Sequence, residues 1–184
     1  MLKNPKLYFA VIILCLLVAA AYYFTRPDEN FSHLTLDQMN LKLHGPILSK
    51  RHYPESPEDE KMIRAGLRYK ELSQSEKYTD CNFTRKELNW LRDYRKHALE
   101  YYSTPPTSEY HKYYAKKYFF DGLRATYLLE GRSAAETWAK KHFDDSIYKK
   151  HRPDYLQKNI EHHLSKMEAA AALNGWTAPI KPAR

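Results

Sequence analysis

Residues 84–104 read TRKELNWLRDYRKHALEYYST, and this stretch decides the fold class. Thr84 followed three residues later by Glu87 is a capping box, in which each side chain accepts from the other residue's backbone N–H. Phe83, just ahead of the cap, is placed to staple onto Leu88. Beyond it Leu88, Leu91, Tyr94, Ala98 and Tyr101 recur at three- and four-residue spacing, so one stripe of an otherwise charged helix is apolar. Pro105 and Pro106 end the pattern.

The same grammar extends in both directions. An aromatic segment, Tyr110 to Leu129, follows, with Gly122 inside and Gly131 just past its end. Ser133 and Glu136 repeat the capping-box spacing and predict a helix with Trp138, Ala139, His142, Phe143 and Ile147 on one face. Pro153 breaks that helix and is placed to open the last one, whose stripe is Leu156, Ile160, Leu164, Met167 and Ala171 and whose stop is Asn174-Gly175. Upstream, Ser56 caps a helix with Pro57 in its first position, Glu58, Asp59 and Glu60 at its positive end, and Met62, Ile63, Leu67 and Leu72 buried. That helix is expected to end near Gln74. The run from His33 to Leu43 is ambiguous in period, but Thr35 and Gln38 favour a short helix from Leu36 to His44, stopped by Gly45 and Pro46. No sustained two-residue alternation occurs elsewhere, and no repeat of fixed period links the helices, so the chain reads as all-α and not as a solenoid.

Leu7 to Phe24, LYFAVIILCLLVAAAYYF, is uncharged and almost wholly apolar. As a helix it would extend about 27 Å, against roughly 30 Å of bilayer hydrocarbon. A cleavable signal peptide competes, with Lys3 and Lys6 as the basic end and Ala19, Ala20 and Ala21 as a cleavage site. The length and the terminal Tyr22, Tyr23 and Phe24 favour an uncleaved anchor. The expected fold class is therefore all-α, an N-terminal single transmembrane helix followed by an irregular bundle of about five helices. The expected division is a signal anchor over 1–25, a membrane-proximal linker with one short helix over 26–56, a helical domain over 57–175 and a tail over 176–184. Lys3 and Lys6 against Arg26 place the N-terminus in the cytoplasm and the domain outside, as a single-pass protein of a bacterial or organellar inner membrane.

Of the formal charge of +8, Lys3 and Lys6 supply two, so the part after the apolar run is basic without being extreme. Such a surface suits an anionic lipid, an acidic polymer or an acidic protein, or is simply solvated. Only Cys81 lies outside the apolar run, which excludes a disulfide within the domain and leaves packing to hold it together.

The densest aromatic and basic segment is Tyr110 to Phe120. Tyr110, Tyr113, Tyr114, Tyr118 and Phe120 spread over one broad side of a helix, with Lys112 and Lys116 facing away and Lys117 among the rings. Its rings either form the centre of the bundle or dock a partner. Lys149, Lys150, His151 and Arg152 make a second basic cluster, which either offsets a helix C-terminus or holds an anion. Tyr110, Lys112, Tyr113, Lys116, Tyr118, Lys149, Lys150, Arg152 and Trp176 are the candidate partner-binding residues. His142 with Asp145, His151 with Asp154, and the His162-His163 doublet beside Glu161 have spacings that can place ligands together, but no HExxH or Cys/His metal pattern accompanies them. No G-x-S-x-G elbow, P-loop or dinucleotide fingerprint occurs, and Glu130 with Glu136 is no more than an arbitrary carboxylate pair. No catalytic residue, metal or cofactor is therefore assigned.

The expected function is that of a membrane-anchored accessory or scaffold subunit of a membrane-associated assembly, acting by protein–protein interaction, with nucleic acid an unlikely partner. The alternatives are an envelope enzyme or binding protein acting on an anionic lipid or cell-wall polymer, and a membrane-held immunity or exclusion protein.

Overall fold

The computed structural model describes residues 29–74, 81–144, 146 and 151–182. The chain divides into two compact units between Thr35 and Leu36. In the first, Glu29–Ser32 forms a single helical turn. The second contains α1 (Leu36–Arg51), α2 (Pro57–Gln74), α3 (Arg85–Ser103), α4 (Glu109–Glu130), α5 (Arg132–His142) and α6 (Tyr155–Asn174).

Local chemistry sets each boundary. The Thr84–Glu87 capping box opens α3 with both reciprocal bonds formed. Ser56 Oγ accepts from the Asp59 N–H at 3.1 Å to start α2, and Ser108 Oγ accepts from the His111 N–H at 2.9 Å to start α4. Inside α1, Gly45 has φ 79°, a left-handed value that interrupts the helix after His44; Pro46 then opens a second segment that runs to Arg51. Gly175, at φ 72°, closes α6, and its N–H bonds to the Ala171 carbonyl.

Two predicted starts are displaced. Gly131 ends α4 and its φ of 88° lets the chain re-enter a helix at once, so α5 begins at Arg132 and the Ser133–Glu136 box does not form. Glu136 instead accepts from Arg132 Nε at 2.8 Å. The last helix begins at Tyr155, with Asp154 rather than the residue before Pro153 in the cap position.

The centre of the second unit lies around α4, which packs most extensively on α3 and also meets α5, α6 and α2. Leu88, Leu91, Tyr94, Ala98 and Tyr101 of α3 are all buried, as are Met62, Ile63, Leu67 and Leu72 of α2 and Ile160, Leu164, Met167 and Ala171 of α6. Each fully buried aliphatic side chain contributes on the order of 1.5–3 kcal/mol. Two glycines set the closest approaches: a Cβ on Gly66 would lie 3.1 Å from Leu43 of α1, and one on Gly122 would lie 3.2 Å from Trp138 of α5. After α6 the tail folds back, with Trp176 edge-on to Tyr127 and the Ile180 N–H donating to the Leu128 carbonyl at 2.8 Å.

The membrane-based expectations are corrected by this architecture. Leu7 to Phe24 lies outside the described residues, and among the described residues no helix is long and apolar enough to cross a membrane. Helices α2 and α3 are amphipathic, with charged residues along their outer faces, because each needs only one apolar side to join the bundle. In place of a transmembrane helix followed by about five helices, the described fold is an all-α arrangement of six helices without a strand among the described residues. The transmembrane, signal-anchor and single-pass descriptions find no support in it. The inner-membrane location, the membrane and subunit partners, the scaffold role and its envelope and immunity alternatives likewise find no support among the described residues.

Candidate functional site

The start of α2 contains a carboxylate, Asp59, that accepts from four donors. Asp59 is fully buried. Its Oδ2 accepts from Ser108 Oγ at 2.7 Å and from the backbone N–H groups of Glu55 and Ser56 at 3.0 and 3.1 Å, while Oδ1 accepts from the Tyr101 hydroxyl at 2.5 Å. Burial pushes the carboxyl toward its neutral form, but these donors outweigh it and hold the pKa below the ordinary value. Burial and the Asp59 carboxylate both push the Tyr101 phenol well above its ordinary range, so Tyr101 stays protonated as the donor. Three chain segments, the starts of α2 and α4 and the end of α3, are tied together at this one side chain.

Beside this hub a cleft of about 170 Å³ is lined by Glu58, Lys61 and Met62 of α2, His97, Glu100 and Tyr101 of α3, Thr104, and His111 of α4. The volume is comparable to the ~150 Å³ that holds a single benzene ring in an engineered cavity. His111 is fully buried, and its ring stacks on Tyr101 with centroids 3.8 Å apart. Nε2 of His111 donates to the Tyr101 backbone carbonyl at 2.6 Å, which places the proton on that nitrogen. Nδ1, an acceptor in the neutral ring, has no hydrogen-bond partner among the described residues. Burial and, after it, the charge of Lys61 lower the pKa of His97, which keeps that imidazole neutral at pH 7. Lys61 lies 3.7 Å from Glu100, whose other oxygen is 3.8 Å from Lys96. The Thr104 hydroxyl donates to the Glu100 carbonyl.

A second polar cluster sits between α1 and α4. His44 Nε2 is 2.7 Å from the Tyr110 hydroxyl and 3.3 Å from that of Tyr118, and the two hydroxyls are 2.7 Å apart. The His44 ring stacks on Tyr114 at 4.0 Å. Burial, followed by the charges of Lys117 and Lys70, lowers the His44 pKa to about 3. This closed triangle holds α1 against α4 and fills the core with hydroxyls that satisfy one another.

The structure distributes the sequence-selected residues widely. Tyr110 and Tyr118 are in the core. Tyr113 is half exposed, with its ring stacked on His52 at 3.9 Å. Lys112 is exposed and paired with Glu109, and Lys116 is half-buried. Arg152 is exposed ahead of α6, Trp176 is buried beside Tyr127, and Lys149 and Lys150 lie outside the described residues. Of the histidine pairs, His163 takes a 2.8 Å bond between its Nδ1 and Arg124 and stacks on Phe120, while Asp145 lies outside the described residues. No group of three or more potential metal ligands occurs among the described residues. Glu130 pairs with Arg95, and Glu136 with Arg132.

The cleft residues were not selected from sequence. Ser56-x-x-Asp59 has the capping spacing that signals a buried carboxylate at a helix start, and Ser108-x-x-His111 places an imidazole at the same position of α4. Only the fold brings the two starts together.

Comparison with protein-family models, with curated proteins and with solved structures finds no match to this chain.

Proposed function

We propose that the helical unit is a ligand-binding module that takes a compact, single-ring molecule in the cleft between α2, α3 and the start of α4. The observation that carries this reading is His111, a fully buried wall residue of the cleft whose Nδ1 has no partner among the described residues. A buried polar atom left unpaired costs roughly 1–3 kcal/mol, so a bound O–H or N–H donor recovers that cost. Apolar lining from Met62 and the Tyr101 ring supplies the contact area, as small-ligand sites combine apolar walls with few polar groups.

Binding is favoured over bond-making chemistry by the state of the lining groups. Burial and Asp59 push the Tyr101 phenol up and keep it protonated, and the Thr104 hydroxyl donates to a backbone carbonyl, so neither is an activated nucleophile.

Titration of isotopically labelled protein with phenol, followed through the imidazole resonances, tests the reading. Saturable shifts at His97 and His111, abolished by filling the cleft with Thr104→Trp, are expected. Shifts absent at these rings, or unchanged in the variant, would overturn it.

A further inference from the structure

Resting on that reading, we propose that the cleft selects a cationic ligand: a small aromatic amine whose hydroxyl or N–H donor reaches His111 Nδ1 and whose ammonium lies against Glu58 and the Tyr101 ring. The proposal follows from which charges around the cleft are already compensated. Glu100 is shared by Lys61 at 3.7 Å and Lys96 at 3.8 Å; the three groups sum to one positive charge, but Lys96 does not line the cleft, and within the lining Lys61 and Glu100 cancel. Glu58 lines the cleft with no hydrogen-bond or ion-pair partner among the described residues. It stands in the first turn of α2, exposed beside Asp59.

A second negative charge stands directly behind the wall. The Asp59 carboxylate accepts from the Tyr101 hydroxyl at 2.5 Å and is kept ionised by its other donors. A phenol that donates to a carboxylate has a more electron-rich ring, and the face of such a ring attracts a cation more strongly than a free phenol does. Burial and then Lys61 shift His97 toward its neutral form, and Lys61, the cation of the wall, is paired with Glu100 at 3.7 Å. The basic character of the whole chain works against cations at long range, but that field is screened beyond about 8–10 Å at ordinary ionic strength. Inside the cleft, Glu58 and the Asp59–Tyr101 pair decide the sign.

Three probes of nearly equal size separate the inference from the reading beneath it: phenol, tyramine and 4-hydroxyphenylacetate, titrated calorimetrically into the full chain. Tyramine is expected to bind at least about tenfold more tightly than 4-hydroxyphenylacetate, a difference of about 1.4 kcal/mol. Glu58→Gln, checked for retained helicity, should reduce that ratio severalfold. Phenol binding with equal affinity for the two charged probes, with preference for the acid, or with a ratio unmoved by Glu58→Gln, would overturn the charge selection and leave the binding reading standing. Failure of all three probes to bind would overturn both.

Discussion

The Tyr101 hydroxyl donates to Asp59 across 42 residues of sequence, joining the last turn of α3 to the first turn of α2 at 2.5 Å. The same carboxylate receives Ser108 from the cap of α4. A single side chain thereby fixes the relative positions of three helix ends, and the cleft is the space left between them.

Removing that carboxylate should be costly. Asp59→Ala strands the Tyr101 and Ser108 hydroxyls and two backbone N–H groups in a buried site, where a donor left unpaired costs about 1–3 kcal/mol. Urea denaturation is the measurement. Asp59→Asn, which keeps an acceptor oxygen, should lose less than Asp59→Ala. It should also flatten the acid limb of stability: the native carboxyl is below its ordinary value of 3.8, so its contribution is complete above that pH and disappears as pH falls through the native pKa.

Leu91→Ala should destabilise the bundle by about 2–5 kcal/mol, the usual cost of emptying a buried leucine site. Leu91 is 1% exposed and lies midway along the α3 stripe that faces α4 and α2. The denaturation midpoint should fall without a change in its slope. A loss below about 0.5 kcal/mol would show that the site collapses around the deletion far better than cores usually do.

Helix starts and buried stripes were legible because they depend on neighbours in sequence. Thr84 and Glu87 satisfy each other within four residues, and the Leu88 to Tyr101 stripe needs only helical spacing. The Ser133–Glu136 box misled because a competing local solution existed: Gly131 tolerates φ 88°, and Arg132 captures Glu136 from within the helix. The aromatic segment Tyr110 to Phe120 was ambiguous for a different reason. A tyrosine looks amphipathic until its hydroxyl finds a partner, and the partner of Tyr110 is His44, 66 residues away. The cleft was illegible for the same reason, since Glu58, His97 and His111 are each unremarkable on their own helix and acquire a role only when α2, α3 and α4 meet.

Gly66→Val should separate α1 from α2. A Cβ at Gly66 would already lie 3.1 Å from Leu43 Cδ2 and 3.4 Å from Tyr118 Cε1, and branching at Cβ removes the room for either to move aside. Overpacking of this kind costs about 1–3 kcal/mol. Gly66→Ala adds helix propensity and asks only the flexible end of Leu43 to shift, so it should cost distinctly less. Proteolysis at the α1–α2 junction distinguishes the two, with faster cleavage expected for the valine variant alone.

Acid sensitivity should begin well above the carboxylate range, because two half-buried imidazoles resist protonation. His44 falls to about 3 through burial and then the charges of Lys117 and Lys70, and His163 falls to about 4 through burial and then Arg124, which lies 2.8 Å from its Nδ1. In the unfolded chain both rings return to about 6.5. Between that value and the native pKa the unfolded state binds more protons, so unfolding free energy decreases as pH falls. Stability measured by urea denaturation should therefore be nearly flat from pH 8 to 7 and decline from about pH 6.5 toward 4. His163→Phe removes one of the two protonation sites and should reduce the slope over that interval, while removing the Arg124 contact lowers stability at every pH. An unchanged slope in this variant would show that His163 protonates as readily in the folded protein as in the unfolded chain, and the ring would then have to leave Arg124 and the face of Phe120 on acidification.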